Sequence, residues 1–382
     1  MNKEELKVKK KYLFNYWWGV GGTDNGKKGG GIIIGDRKEF PFKEITSNKE
    51  NPLILLKNNT PLFTDIQIQT IQFCNLKCSF CPNHYMIWDR IDKKRKGIPY
   101  NSMSFEDYEK IMINLKKLKY KGRVSPYLMN EPLIDKDRII EFIKITRKHL
   151  PQSEILINTN ATFLSKKILI DMIEAGLNRV CIDDYFGDKN RKKLIKMLVD
   201  VCESENYEKW PYEGKCEVEL AALIPNIKQV KSPITDKEGN IIRNERGNPI
   251  ANDKEQYFYH TYWNRGGLVN INPDIKVPQK DCHYPSKQMV VNWKGDTLLC
   301  CCDWEEMVVM GNIIKDKIED VWINKKYKHY RSTLKKGERK KLELCKNCNF
   351  RGCDSEKDRD IFNSDGSLKS ENKIQTTGLF KG

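Results

Sequence analysis

From Ile66 onwards, short apolar segments alternate with segments of helical periodicity, and this alternation constrains the fold more than any other feature. Each strand-plus-helix unit spans about 30 residues, the length of a βα unit. Strands are predicted at 66–73, 122–128, 154–160, 178–185 and 216–224, and helices from about Ser104, at 136–149, at 164–175 and at 189–204. Strands joined by helices pair in parallel, so the pattern predicts an α/β barrel or an open α/β sheet.

The chain has 382 residues, of which 39% are apolar and thirteen are cysteines. That length suits two to three domains or one large domain with additions, and the apolar content is enough for a core. No signal peptide and no run of eighteen apolar residues is visible, so we expect a cytoplasmic protein without a membrane segment. In that reducing compartment the cysteines are expected as thiols or metal ligands.

Three cysteines follow the first predicted strand with the spacing C-x3-C-x2-C: Cys74, Cys78 and Cys81. Buried structural thiols are one alternative. A zinc site is another, but zinc prefers four ligands, and the nearest additional candidate is His84. Three thiolates on one loop suit a cubane iron–sulfur cluster, because they hold three irons and leave the fourth open to a substrate or cofactor.

With Phe80 before its third cysteine, this motif resembles the hallmark of the radical S-adenosylmethionine (radical SAM) superfamily. The segment 129–132 (Met-Asn-Glu-Pro) stands where that family has Gly-Gly-Glu-Pro, which contacts the methionine amino group. The segment 159–161 (Thr-Asn-Ala) stands where Thr-Asn-Gly is common, and 180–184 stands at the ribose-contacting strand. The cofactor-binding residues that the resemblance implies are Phe80, Asn130, Glu131, Asn160 and Asp183.

The same resemblance implies a fold and a chemistry. The fold is a partial (β/α)6 TIM-like barrel that holds a 4Fe–4S cluster and S-adenosylmethionine. In this superfamily, the reduced cluster cleaves S-adenosylmethionine to a 5′-deoxyadenosyl radical, which abstracts hydrogen from an unactivated C–H bond. The protein orients the reactants and excludes solvent, since the cofactors carry the difficult step.

A second cysteine group lies near the end of the chain and resembles the SPASM/twitch domains of radical SAM enzymes, which hold auxiliary 4Fe–4S clusters. One cysteine beyond this group, Cys353, is too few for a full SPASM set, so the resemblance implies one auxiliary cluster and two clusters in all. A zinc-stabilised mini-domain is the alternative. The ligands that the resemblance implies are Cys282, Cys300, Cys345 and Cys348.

The choice of ligand within the run Cys300-Cys301-Cys302 stays open at this point. Neighbouring side chains of a strand point to opposite faces, so Cys301 should face away from the cluster if Cys300 is a ligand.

A cluster with four cysteine ligands has no open iron, so it is suited to moving an electron. This favours an oxidoreductase that removes two electrons from a carbinol, an amino-sugar or a peptide residue. Arg265 stands 17 residues before Cys282, as does a substrate-facing arginine in the twitch-type dehydrogenase of aminoglycoside biosynthesis. A guanidinium there can bind a hydroxyl or a carboxylate.

Three other functions compete with dehydrogenation. In an epimerase, a thiol returns hydrogen to the substrate radical, and Cys181 and Cys216 on predicted barrel strands are the candidates. A peptide- or protein-modifying enzyme is the second, and a zinc- or iron-binding protein is the non-enzyme alternative. The expected partners are a small-molecule or peptide substrate and an electron donor such as flavodoxin or ferredoxin.

The chain carries 68 basic and 52 acidic residues, a formal net charge of +16. Its lysine runs are interpreted as solvated faces, and no motif joins them to stacking aromatics, so we expect neither nucleic acid nor membrane as a partner. The predicted division is an N-terminal extension (1–60), the barrel (61–275), the auxiliary-cluster domain (276–355) and a tail expected to be mobile (356–382).

Overall fold

The computed structural model describes residues 12–14, 17–18, 32–34, 54–56, 59–78, 81–82, 101–186, 188–202, 217–222, 236–238, 242 and 281–348. Three short strands come first: β1 (Tyr12–Phe14), β2 (Trp17–Trp18) and β3 (Ile32–Ile34).

All five predicted strands are present, and each is shorter than its apolar segment. They are β4 (Asp65–Ile68), β5 (Arg123–Ser125), β6 (Leu156–Thr159), β7 (Arg179–Asp183) and β8 (Glu217–Ala222). β4 pairs in parallel with β5, a parallel bridge joins Val124 to Ile155, and β6, β7 and β8 continue in parallel. The strands therefore follow one another in chain order around an open barrel, as predicted. β3 and β2 both pair with β8, which attaches the first segment of the chain to the sheet.

The four predicted helices are also present. They are α1 (Phe105–Lys117), α2 (Lys136–His149), α3 (Lys166–Glu174) and α4 (Asp188–Cys202). α1 begins at a capping residue: Ser104 Oγ accepts from the N–H of Asp107 at 3.0 Å, which satisfies a helix-terminal donor.

The strands show which side of the sheet the helices cover. Ile66 and Ile68 of β4 are fully buried in a cluster that includes Tyr108 and Leu115 of α1. Val180 and Ile182 of β7 lie in a second cluster with α3 and α4. Because side chains alternate along a strand, the residues between these positions face the inside of the barrel.

The amino-terminal ends of the strands enclose a buried ionic group. Arg123 Nε lies 2.8 Å from Glu154 Oε2, and Arg123 Nη1 lies 3.5 Å from Asp65 Oδ2. Burial raises the pKa of Asp65 to about 6 against the opposing effect of Arg123. Paired charges therefore fill this end of the barrel, and the chemistry is left to the carboxyl ends of the strands.

The last described segment, residues 281–348, contains three antiparallel strands and three α-helices. It contains α5 (Tyr284–Lys287), β9 (Gln288–Val291), β10 (Asp296–Leu298), β11 (Val309–Asn312), α6 (Ile318–Trp322) and α7 (Lys325–Lys335). Gly295 turns the β9–β10 hairpin at φ 84°, and a Cβ there would lie 2.3 Å from Ile314 Cδ1. β9 pairs in parallel with β4, on the side opposite β5. No helix among the described residues is long and apolar enough to cross a membrane.

Candidate functional site

The cysteine loop lies directly beyond the carboxyl end of β4. Cys78 is buried, and Cys74 and Cys81 are partly buried. The N–H of Cys81 donates to the carbonyl of Cys78 at 3.0 Å, and the three side chains pack with Leu76 and Tyr185. Burial raises the pKa of the Cys74 thiol, and nearby Cys81, Glu131 and Cys78 add to the rise. These sulfurs become thiolates most readily beside a metal centre that supplies positive charge.

Glu131 joins the ends of β4, β5 and β6. Its backbone N–H donates to the carbonyl of Phe73, next to Cys74, at 3.0 Å. Glu131 is 2% exposed, and burial raises the pKa of its carboxyl group. The three donors to it are Thr159 Oγ1 at 2.6 Å, the N–H of Asn160 at 2.7 Å and the N–H of Leu133 at 2.9 Å. A carboxylate accepts about four hydrogen bonds, which leaves capacity for one more donor, such as an ammonium group.

Asn130 offers a donor beside that carboxylate. Its Oδ1 accepts from the N–H of Leu128 at 2.7 Å. Its Nδ2 is buried and has no hydrogen-bond partner among the described residues. A buried amide donor without a partner is costly, and an acceptor on a bound ligand would satisfy it.

Two residues adopt the left-handed backbone conformation at positions where the radical SAM motifs have glycine. They are Met129 at φ 49° and Ala161 at φ 59°. This conformation is unfavourable for any residue with a side chain. Met129 and Ala161 therefore keep the backbone conformation of the glycine-containing motifs, but with steric strain.

Asn160 connects the end of β6 to the cysteine loop. Its Nδ2 donates to Asn75 Oδ1 at 2.9 Å and lies 3.9 Å from Cys74 Sγ. Its Oδ1 accepts from the N–H of Thr162 at 3.0 Å. Asn160 thus orients the loop that carries Cys74 as well as the turn after β6.

Cys181 and Asp183 alternate along β7 with the buried Val180 and Ile182, so both face the barrel interior. Tyr127 lies near them: burial raises its pKa well above the usual range, and Cys181 and Asp183 add to the rise. This interior carries a thiol, a phenol and a carboxylate close to the strand ends.

A second set of thiols lies beside the β9–β10 hairpin. Cys345 is buried in the cluster that Cys282 and Cys300 pack against. The N–H of Cys348 donates to the carbonyl of Cys345 at 3.1 Å, the same turn that joins Cys78 to Cys81.

The run 300–302 forms a turn after β10 rather than a strand. Cys301 nevertheless packs elsewhere, with Met129, against Leu128, Val290 and Leu298. Cys302 lies on the same side as Cys300, and its N–H donates to Cys300 Sγ at 3.4 Å. A hydrogen bond with Cys302, followed by burial, raises the pKa of Cys300. Cys300 and Cys301 therefore face different surroundings, as predicted. The cause is a turn and not the alternation of side chains along a strand.

Comparisons with known proteins match both parts of the chain. A family model described as the radical SAM superfamily matches residues 68–197. A second model, SPASM, described as an iron–sulfur cluster-binding domain, matches residues 282–349. The chain belongs to the radical SAM superfamily.

Its relatives include an S-adenosyl-L-methionine-dependent 2-deoxy-scyllo-inosamine dehydrogenase from Niallia circulans, which is 27% identical over 75% of this chain and 93% of that protein. The crystal structure of BtrN in complex with AdoMet and 2-DOIA is 25% identical and has a TM-score of 0.53, covering 83% of this chain and 98% of that one. Streptococcus suis SuiB bound to precursor peptide SuiA is 16% identical, covers 83% of this chain and 78% of that one, and has a TM-score of 0.36.

This radical SAM protein is therefore an oxidoreductase that uses a 4Fe–4S cluster and S-adenosylmethionine, with further iron–sulfur binding in its SPASM domain. Soft thiolates are the donors that iron–sulfur clusters take, and both thiol groups provide them. Within the described residues, no three His, Cys, Asp or Glu side chains converge as ligands of a single metal ion. A cubane spreads its thiolates over separate irons, so its ligands stand farther apart than those of one zinc ion.

Several predicted residues of this radical SAM enzyme lie outside the described residues, and their roles stay predictions. They are Phe80, Cys216 and Arg265, together with His84 and Cys353.

Sequence reasoning missed the roles of Thr159 and Tyr185. Thr159 stands in the segment 159–161, but its partner Glu131 is 28 residues away, a pairing that only the fold reveals. Tyr185 follows a strand already assigned to the cofactor, and its position beyond the strand end was the available signal.

Proposed function

We propose that this enzyme oxidises a carbinol carbon of a small amino-sugar or amino-cyclitol to a ketone. The observation that carries the proposal is the presence of two separate thiol groups, one on the loop after β4 and one beside the β9–β10 hairpin. The relative from Niallia circulans, a dehydrogenase aligned over 75% of the chain, supports this reaction type.

Cys74, Cys78 and Cys81 are the proposed ligands of the first cluster. When bound, this cluster and S-adenosylmethionine supply the 5′-deoxyadenosyl radical that removes hydrogen from the substrate. In this proposal, Asn130 donates a hydrogen bond to S-adenosylmethionine through its buried Nδ2. Glu131 accepts a hydrogen bond from the methionine amino group through its remaining lone pair. Asn160 keeps the Cys74 loop in position.

Asp183 faces the barrel interior, which supports its proposed contact with the ribose. The proposed substrate ligand is Arg265, whose guanidinium binds a hydroxyl or carboxylate in forked geometry.

The electron balance requires the second thiol group. The carbinol loses one hydrogen atom to the radical, and the O–H proton leaves to solvent or a base. The remaining electron needs an acceptor. An auxiliary cluster held by Cys282, Cys300, Cys345 and Cys348 would supply one, since four thiolates would leave no iron open to substrate.

Epimerisation is a second candidate, because the thiol of Cys181 faces the barrel interior. There it can return a hydrogen atom to the opposite face of a substrate radical. In that case the product has the mass of the substrate.

One experiment separates these functions. Anaerobic reconstitution should give about eight irons per chain, and the combined variant Cys74→Ala, Cys78→Ala, Cys81→Ala should lose half of them and all cleavage of S-adenosylmethionine. Incubation with amino-cyclitols in D2O should give a product two hydrogens lighter. A product of unchanged skeleton carrying one deuterium would instead establish epimerisation, and Cys181→Ala should then abolish it.

The proposal includes a low-potential electron donor of the flavodoxin or ferredoxin type and a reducing cytoplasm, because the first cluster must be reduced for every turnover. We also propose that the chain divides into a barrel at residues 61–275 and an auxiliary-cluster domain at residues 276–355.

A further inference from the structure

Arg339 is a buried arginine beside the second thiol group. It lies in a short turn, Arg339–Lys341, between α7 and Cys345, and is 1% exposed. A long cationic side chain is rarely buried so completely without a specific role.

The guanidinium contacts two of the three chain segments that carry the proposed auxiliary ligands. Its Nη2 donates to the carbonyl of Asp281, the residue before Cys282, at 3.3 Å. Its Nη1 donates to the carbonyl of Cys348 at 3.3 Å. One planar group therefore joins the carbonyl of Cys348 to that of Asp281, which lies 58 residues before Arg339.

Its positive charge lies beside the proposed ligands, because the carbonyls that it contacts belong to Cys348 itself and to Asp281, the neighbour of Cys282. A cubane with four thiolates carries two net negative charges, and the electron of reduction adds a third. A nearby buried cation stabilises the more negative state more strongly, because the interior screens charge weakly.

We propose that Arg339 is a positioning residue that sets the reduction potential of the auxiliary cluster. Its charge raises that potential and makes the cluster a better acceptor of the substrate electron. This inference rests on the proposed function for the presence of the cluster, but not for the identity of the substrate.

Arg331 provides a matched control in the same part of the chain. It is also buried, and donates to the carbonyls of Pro285 and Trp322 at 2.8 Å each. Its guanidinium carbon lies 3.9 Å from the ring centre of Trp322. These carbonyl partners do not belong to the proposed ligands or to their immediate neighbours, so its replacement tests the loss of a buried arginine without loss of the charge between the ligand segments.

The test is a redox titration of the full chain, followed by electron paramagnetic resonance, without substrate. The background is Cys74→Ala, Cys78→Ala, Cys81→Ala, so that the auxiliary cluster is measured by itself. At the parent protein's midpoint, Arg339→Gln should raise the ratio of oxidised to reduced cluster about tenfold, equivalent to about 59 mV for one electron. Arg339→Lys, which keeps the charge, and Arg331→Gln should both change the ratio less than about threefold.

An unchanged ratio in an iron-loaded Arg339→Gln protein overturns the proposal. If Arg339→Gln holds no iron, the Arg339→Lys variant is the deciding measurement. An iron-loaded lysine variant with the same ratio of oxidised to reduced cluster as the parent protein supports the role of charge. A lysine variant that is also empty shows a structural role instead. Should the parent background itself hold no iron, the cluster assignment of the proposed function is what has failed.

Discussion

The backbone N–H of Asn160 donates to Oε2 of Glu131 at 2.7 Å, which joins the turn after β6 to the turn after β5. Asn160 also reaches the loop of Cys74. The ends of β4, β5 and β6 thus meet around Glu131 through its backbone N–H and its carboxylate, so a change at Glu131 should alter this end of the barrel as a whole.

Glu131→Gln should weaken S-adenosylmethionine binding about tenfold or more and lower the free energy of unfolding by about 1–3 kcal/mol. The reason is that an amide has one acceptor oxygen for three donors, so a buried donor is left unsatisfied. Equilibrium binding and urea unfolding measure the two effects. Thr159→Val, which removes one donor and leaves the carboxylate, should cost about 1 kcal/mol. Equal effects of both variants on binding would contradict this role for Glu131.

Single replacements should identify the ligand in the run 300–302. Cys300→Ala should lose the auxiliary cluster, about four irons, because Cys300 packs towards Cys345. Cys301→Ala should keep it, since Cys301 packs on the opposite side with Leu128. Iron and sulfide analysis of reconstituted chains gives the answer. Full iron in Cys300→Ala together with iron loss in Cys302→Ala would move the assignment to Cys302.

Ala161→Gly should stabilise the protein by about 0.5–1 kcal/mol, because glycine adopts φ 59° without the steric cost of a side chain. Ala175 is the matched control: it is as buried as Ala161, 9% exposed, but its backbone is right-handed at φ −68°. Ala175→Gly should destabilise by about 1 kcal/mol through added flexibility of the unfolded chain. Urea unfolding of both variants measures the contrast. A loss of stability in both would mean that the methyl group of Ala161 outweighs its strain.

Asp65 should make stability depend on pH. Its folded pKa, about 6, lies above the unfolded value, so the folded chain holds this proton more tightly. The free energy of unfolding should therefore fall by about 1 kcal/mol between pH 5 and pH 7, and Asp65→Asn should remove that fall. Asp171→Asn, at a partly exposed carboxylate paired with Lys167, is the control, in which the fall assigned to Asp65 should remain. An unchanged slope in Asp65→Asn would assign the proton to another group.

The order of strands and helices follows from local pattern. α2 occupies the predicted 136–149, because its apolar periodicity and the capping Asp135 act within a few residues. The pairing of β9 with β4 was not predictable in this way, since the two strands are more than 200 residues apart and no local signal encodes their register.

The candidate site also has parts that were predictable from local sequence and parts that were not. The cysteine motifs were visible because the spacing of ligands on one loop is local. Thr159 and Asn160, which donate to Glu131, and Asp281, whose carbonyl Arg339 contacts, come from distant segments. Sequence reasoning therefore identified Glu131 without these partners and did not single out Arg339. Asp65 and Arg123 break the apolar pattern of their strands, and only the fold shows that they neutralise each other.

The parallel ladder between β4 and β9, from Asp65–Gln288 to Ile68–Val291, has a consequence for electron transfer. Cys74 follows one of these strands, and Cys282 and Cys300 flank the other. The separation of the two thiol groups is therefore held by backbone hydrogen bonds between these strands. We expect substitutions that affect electron transfer between the proposed clusters to act through redox potential rather than through that separation.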